Sequence, residues 1–221
     1  MNTLERGRPD TLRRVYDEAI ARLKGKDLEE RCAAAGYTYD RRGIEIQFLG
    51  QRYVLDPFGH LLECADDSEE HALTARILIL HYLEKASGAP PSGKMVGFDQ
   101  LVGGRFYGGP FRERVETPLA RAFAGCPEEL VRASQPLGGN RAGYGDGSVI
   151  LHPFPRVLVG LVVWRGDDEV PSNGKVIWDA GAEDYLCAED IAVLGEFVVN
   201  ALKRGAKNAT AHGKLPPMRR S

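Results

Sequence analysis

Nowhere in this chain do apolar residues run on for the roughly 18 positions that a bilayer-spanning helix requires. The opening segment MNTLERGRPD likewise has no apolar stretch that would serve as a secretion signal. Cysteine is scarce and scattered: Cys32, Cys64, Cys126 and Cys187 never form a CxxC pair, which excludes a zinc ribbon or a cluster-binding run and leaves free thiols as the expectation. Charge of one sign is lacking too. With a formal net charge of -2, no overall field recruits nucleic acid, and no alternating strand presents the aromatic platform on which single strands stack. The G-x-S-x-G elbow, the H-E-x-x-H pair, the phosphate loop and the dinucleotide fingerprint are all missing, so hydrolysis by a nucleophile and nucleotide binding have no motif behind them. A soluble, cytoplasmic protein with neither a membrane nor a nucleic-acid partner is expected, and no cofactor is specified.

What is present is ordinary globular composition, 43% hydrophobic and 27% charged over 221 residues, enough for one substantial core. Leu12, Val15, Tyr16, Ala19, Ile20 and Leu23 recur at helical spacing behind Asp10, and Leu28 to Ala35 reads as a second helix ended by Gly36. The period then changes. Ile44, Ile46 and Phe48 alternate with Glu45 and Gln47, and Tyr53 to Leu55 resumes the extended pattern, a hairpin with one wet face. An acidic block from Asp66 to Glu70 precedes Ile77 to Leu83, apolar around nearly its whole circumference and therefore the expected central helix. GAPPSG (88–93) and GGRFYGGP (103–110) read as turn-rich breaks, Phe111 to Ala124 as a helix, and Asn140 to Gly147 as a polar loop.

In Val157 to Trp164 both alternating sets are apolar, the mark of a strand covered on both faces and of a sheet centre. A polar turn, Arg165 to Gly174, returns the chain into Lys175 to Asp179. Ile191, Leu194, Phe197, Val198, Ala201 and Leu202 then form a helical stripe closed by Lys203 and Arg204. Strands in clusters joined by tight turns predict an α+β domain over residues 10–204, with a mixed or antiparallel sheet of about five strands and helices packed on it. Residues 205–221 carry four basic side chains and no acid, and are expected to be a disordered basic tail.

Taken together, ILHYLEKASGAPPSG, FDQLVGGRFYGGPF and the long segment beginning PFPRVLVGLVVWRGDDEVPSNGKVIWDAG resemble the prokaryotic family catalogued as domain of unknown function 3786, from about residue 12 to about residue 204. The resemblance implies an accessory role in anaerobic metabolism. Some members carry an added iron–sulphur module, but this chain has no four-cysteine motif to hold a cluster. No catalytic residue comes with the resemblance.

Several residues are candidates on their chemistry. Arg105, Arg112 and Arg114 stand near flexible glycine backbone, where main-chain N–H groups and a guanidinium fork can meet an anion; a plain structural loop is the competing reading. Arg156, before the central strand, needs a partner that Asp179 or Asp184 would supply. His81 lies in the apolar helix as a metal ligand, an acid–base group or a hydrogen-bonded core histidine. His60 and Cys64 begin a metal set that lacks two ligands, and the carboxylates Asp179, Glu183, Asp184, Glu189 and Asp190 do not have calcium-loop spacing. Cys187 before a helix has no histidine nearby in sequence.

Three functions follow. The first is a small-ligand- or cofactor-binding protein with a pocket lined by Arg105, Tyr107, Arg156 and His81. The second is an enzyme acting on an anionic substrate through Asp179 and Asp184 with a cation or an arginine. The third is a protein-interaction module using the tail and a sheet edge.

Overall fold

The three-four spacing near the start folds into α1 (Pro9–Lys24), which buries Leu12, Ala19, Ile20 and Leu23. In α2 (Leu28–Ala35), Asp27 accepts the Glu30 N–H at one end and Gly36, in the left-handed region, closes the other. The computed structural model describes residues 9–40, 43–56, 61–62 and 69–212. His60 and Cys64, and with them most of the acidic block before the central helix, lie outside those residues.

β1 (Ile44–Phe48) and β2 (Gln51–Leu55) form the expected hairpin, with Glu45 and Gln47 on the wet face. Leu49 and Gly50, both at positive φ, make its turn. β3 (Leu61–Leu62) adds a third strand. In α3 (Glu69–Lys85) the side chains of Ile77, Leu78, Ile79, Leu80, Tyr82 and Leu83 are all fully buried. At about 1.5–3 kcal/mol for each large apolar side chain, this helix contributes heavily to the core.

The remaining elements are β4 (Met95–Gly97), α4 (Gly104–Phe111), a π-helical turn (Arg112–Glu116), α5 (Thr117–Phe123), α6 (Pro127–Ser134), β5 (Asn140–Arg141), β6 (Gly147–Phe154), β7 (Val157–Trp164), β8 (Asn173–Asp179) and α7 (Ala188–His212). The main sheet is wholly antiparallel in the order β4-β8-β7-β6-β5, which puts the apolar β7 at its centre. The fold is α+β, as the clustering of strands predicts. The expected single sheet is two: the β1–β2 hairpin belongs to a separate three-stranded sheet, and the short β4 and β5 take edge places in the larger one.

Three further expectations are corrected. GGRFYGGP is helical, not a loop. Gly104 comes so close to Phe98 that a Cβ there would meet the Phe98 carbonyl oxygen at 1.8 Å. Stacked rings of Phe98 and Phe111, 4.0 Å apart, anchor both ends of α4, so tertiary contact overrides weak propensity. The last helix also passes its predicted end at Arg204, because Gly205 packs against the Ala133 backbone of α6 and Ala206 against the core.

The third correction concerns β7, whose second face is covered only in part: Gly160 and Val162 are buried, but Leu158 is half-buried and Trp164 exposed. In the row Gly147, Val163, Gly174 the outer members abut Pro127 of α6 and the Glu116–Ala120 backbone, so helices cover that face. On the opposite face Ile150, Leu158 and Ile177 are only half-buried and stand outside the core.

In an ordinary helix Gly→Ala gains about 1 kcal/mol. Gly104→Ala is expected to do the reverse, lowering stability by about 2 kcal/mol or more through the clash with Phe98. Urea denaturation against a Gly109→Ala control, where a Cβ meets nothing within 4 Å, measures the difference.

Candidate functional site

Pro118 lacks an N–H to give the carbonyl four residues back, and its ring crowds that carbonyl. The chain answers by widening one turn: the Thr117 N–H reaches the Arg112 oxygen, five residues back. The π turn carries Glu116 to the part of β8 that extends past β4. There Glu116, 4% exposed, accepts the Val176 N–H at 3.3 Å, covering an otherwise open sheet edge. Lys175 lies over Gly97 and brings Nζ to 3.2 Å from Glu116 Oε1 and 3.7 Å from Asp99 Oδ1.

A cleft of about 310 Å³ opens at this point, bounded by Phe98, Asp99, Gly108, Gly109, Arg112 and Lys175 among others. Arg112 is exposed on its rim, and among the described residues it has no ion pair. Glu116 and Lys175 neutralise each other at the base of the cleft. The free guanidinium and the glycine backbone are therefore what the cleft offers to a ligand. A smaller groove of about 220 Å³ lies beside α6, but its Glu128 carboxylate is held by Arg165 at 3.1 Å and Asp146 accepts the Arg165 N–H.

A second polar cluster joins α1, α3 and α7. His81 Nδ1 lies 2.8 Å from Asp190 Oδ1, and its Nε2 lies 3.4 Å from an Arg22 nitrogen. Arg22 is an obligate donor, so the lone pair is on Nε2 and the proton on Nδ1, directed at Asp190. Asp190 also accepts the Cys187 N–H at 3.3 Å and the thiol at 2.9 Å, half of a capping box at the start of α7. Burial alone would raise the Asp190 pKa, but hydrogen bonds from His81 and Cys187 and the interaction with the imidazole hold it below the ordinary carboxylate value. The thiol goes the other way. Partial burial of the sulfur, then the Asp190 charge, push Cys187 up to about 11.

Because this thiol donates to a carboxylate and not to an imidazole, the arrangement keeps sulfur protonated and is no nucleophile–base pair. Among the described residues no group of three or more His, Cys, Asp or Glu side chains could hold a metal ion.

The structure scatters the residues singled out by their chemistry. His81 belongs to the cluster just described. Arg156 gives its N–H to the Tyr82 hydroxyl at 3.2 Å, and its Nε packs beside Gly36. Asp179 is fully buried, and its two oxygens accept the N–H groups of Ser92, Gly93 and Gly181 at 2.6–2.8 Å. Backbone amides thus take the place expected for Arg156, and the Arg156–Asp179 ion pair does not form. Asp184 is exposed at the end of the short 3-10 turn Ala180–Asp184, so the two carboxylates do not converge. Arg105 and Tyr107 stand on the exposed side of α4, beside Phe106. No hydrogen bond or ion pair joins any two of His81, Arg105, Tyr107, Arg156, Asp179 and Asp184.

Glu116, Lys175 and Asp99 are the members of the cleft that sequence reasoning missed. The one available signal was Pro118 inside a helical pattern, which forces a local defect in that helix.

A family model described as Domain of unknown function (DUF3786) matches residues 27–201. No curated protein and no solved structure matches the chain. Among the described residues no helix is long and apolar enough to cross a membrane.

Cys187 is expected to resist iodoacetamide at neutral pH and to react progressively as pH rises toward about 11. Asp190→Asn removes the negative charge, so the reactivity profile should move to lower pH. Peptide-level mass spectrometry of alkylation across a pH series reads both.

Proposed function

The chain belongs to the family defined as Domain of unknown function (DUF3786), and we propose that it is a small-ligand-binding protein whose ligand presents an anionic group to Arg112 in the cleft between α4 and β8. The observation that carries this reading is the guanidinium of Arg112, which has no ion pair among the described residues, beside a Glu116–Lys175 pair that already satisfies itself. An anion that binds Arg112 breaks no ion pair among the described residues, and a guanidinium binds carboxylate or phosphate through two parallel hydrogen bonds. The glycines at 108 and 109 leave room for a ligand to approach the helix backbone, since a Cβ at either position would meet no atom closer than 4.0 Å.

The reading differs from the expected pocket in its residues, replacing Arg105, Tyr107, Arg156 and His81 with Arg112. It keeps the expectation that an arginine of the GGRFYGGPFRER segment meets an anion. Reaction chemistry is left out of the proposal because the base of the cleft holds an ion pair with its charges mutually engaged.

Ligand-observed NMR with succinate, inorganic phosphate and the neutral control succinamide tests it. Succinate or phosphate is expected to bind and succinamide not to. Arg112→Ala should weaken the anion about tenfold or more, the worth of a hydrogen bond to a charged group, with an unchanged circular dichroism spectrum. Equal binding by the wild type and Arg112→Ala, or binding by neither anion, would overturn the proposal.

A further inference from the structure

Of the two carboxylates that line the cleft, Asp99 is the one a ligand can reach. It follows Phe98 in the short 3-10 turn Phe98–Gln100, and its side chain is 60% exposed, against 4% for Glu116. Two glycines give it room. A Cβ at Gly97 would lie 2.6 Å from Asp99 Oδ1, and one at Gly108 would lie 4.0 Å from Asp99 Cβ. The carboxylate therefore stands between the end of β4 and the glycines of α4.

Two carboxylates share one ammonium here. Lys175 Nζ is 3.2 Å from Glu116 Oε1 but 3.7 Å from Asp99 Oδ1, and Glu116 is also the more buried, so the lysine charge is directed chiefly at Glu116. Asp99 accepts no hydrogen bond among the described residues. Arg112, on the rim of the same cleft, has no ion pair among them. Glu116 and Asp99 carry as much charge as Lys175 and Arg112, yet no ion pair joins Asp99 to Arg112. The cleft is thus neutral in total and bipolar in arrangement.

That arrangement selects among ligands. A second negative charge on a ligand held by Arg112 meets Asp99, whereas a positive one finds its complement there. Spacing narrows the class. Asp99 stands against Gly108, and Arg112 follows Gly108 by four residues, about 6 Å of helix rise, so the two charges of the ligand belong on a short carbon chain and not on one carbon atom. At about 310 Å³, the cleft is at the small end of ligand sites, which run from about 300 to 1,000 Å³.

We infer that the ligand of the cleft is a small zwitterion of the ω-amino acid kind, its anionic group held by Arg112 and its ammonium by Asp99. This rests on the anion-binding reading of Arg112 and adds to it the recognition of a cation.

Ligand-observed NMR titration with γ-aminobutyrate and valerate is the test, since valerate carries a methyl group where γ-aminobutyrate carries its ammonium. The wild type is expected to bind γ-aminobutyrate about three- to fivefold more tightly than valerate, the worth of a partly exposed ion pair. This comparison needs no variant. Asp99→Asn, with an unchanged circular dichroism spectrum, should bring the two probes to equal affinity, while Arg112→Ala weakens both. Equal or weaker binding of γ-aminobutyrate by the wild type overturns the zwitterion, and leaves the anion site standing where Arg112→Ala still weakens both probes. A preference that survives in a folded Asp99→Asn protein overturns it too, by placing the ammonium elsewhere. If neither probe binds, this inference falls; if succinate and phosphate fail as well, the anion reading falls with it.

Discussion

The side chain of Tyr82 is the point at which four separate parts of the chain meet. Its ring stacks on Phe154 at 4.3 Å and on Tyr185 at 5.3 Å, and meets Tyr37 edge-on at 6.3 Å. Its hydroxyl donates to the Ala35 carbonyl at 2.6 Å and accepts the Arg156 N–H at 3.2 Å. The end of α2, the β6–β7 corner and the segment before α7 are thus all referenced to one residue of α3. Burial pushes its phenol well above the ordinary tyrosine value, so the donor proton on which the Ala35 bond depends is secure. A buried amphipathic ring fixes orientation as well as distance, because its apolar faces and its polar tip must be satisfied at once.

Buried carboxylates follow the same rule of satisfaction, and they show why the candidate site lies where it does. Asp179 is filled by three backbone amides that fasten the 88–93 loop to the end of β8, and Asp190 by His81 and Cys187, which fasten α7 to α3. Groups so fully engaged have no capacity left for a ligand. Glu116 and Lys175 are engaged with each other, and Arg112 beside them has no ion pair among the described residues. Chemical availability, more than the presence of a reactive residue type, singles out the cleft.

Much of the architecture was legible in the sequence because period and burial coincide. The circumferentially apolar Ile77 to Leu83 is the central helix, Val157 to Trp164 is the middle strand, and the alternation from Ile44 to Phe48 is a hairpin with one wet face. Failures came where tertiary contact outweighs local preference. The glycines of 103–109 read as a loop, yet close approach to Phe98 and the Phe98–Phe111 stack make that stretch a helix. Two-sided apolarity in β7 implied two covered faces, and the second is covered only in part, at Gly160 and Val162 but not at Leu158 and Trp164. Among the site residues, Asp179 was correctly read as needing partners and found them in backbone amides that carry no signature in sequence, whereas Arg156 bonds to Tyr82 through its main chain and not through its charge. Arg112 was visible as a cation near glycine. Glu116 and Lys175, far apart in sequence, are brought together only by the sheet edge.

The π turn has one more consequence, for the length of the segment that contains it. It adds one residue to what is otherwise a continuous rod from Gly104 to Phe123, and one residue in an α-helix is a rotation of about 100°. α4 can therefore direct Gly108 and Arg112 toward the cleft while α5 directs its own face at β8, two orientations that one unbroken helix could not serve together. Deleting a single residue between Arg112 and Glu116 would remove the widened turn and keep α4 and α5 in phase, whereas regular winding at the present length would rotate α4 by about 100° relative to α5. The widened turn ahead of Pro118 is thus what lets one sequence serve both faces.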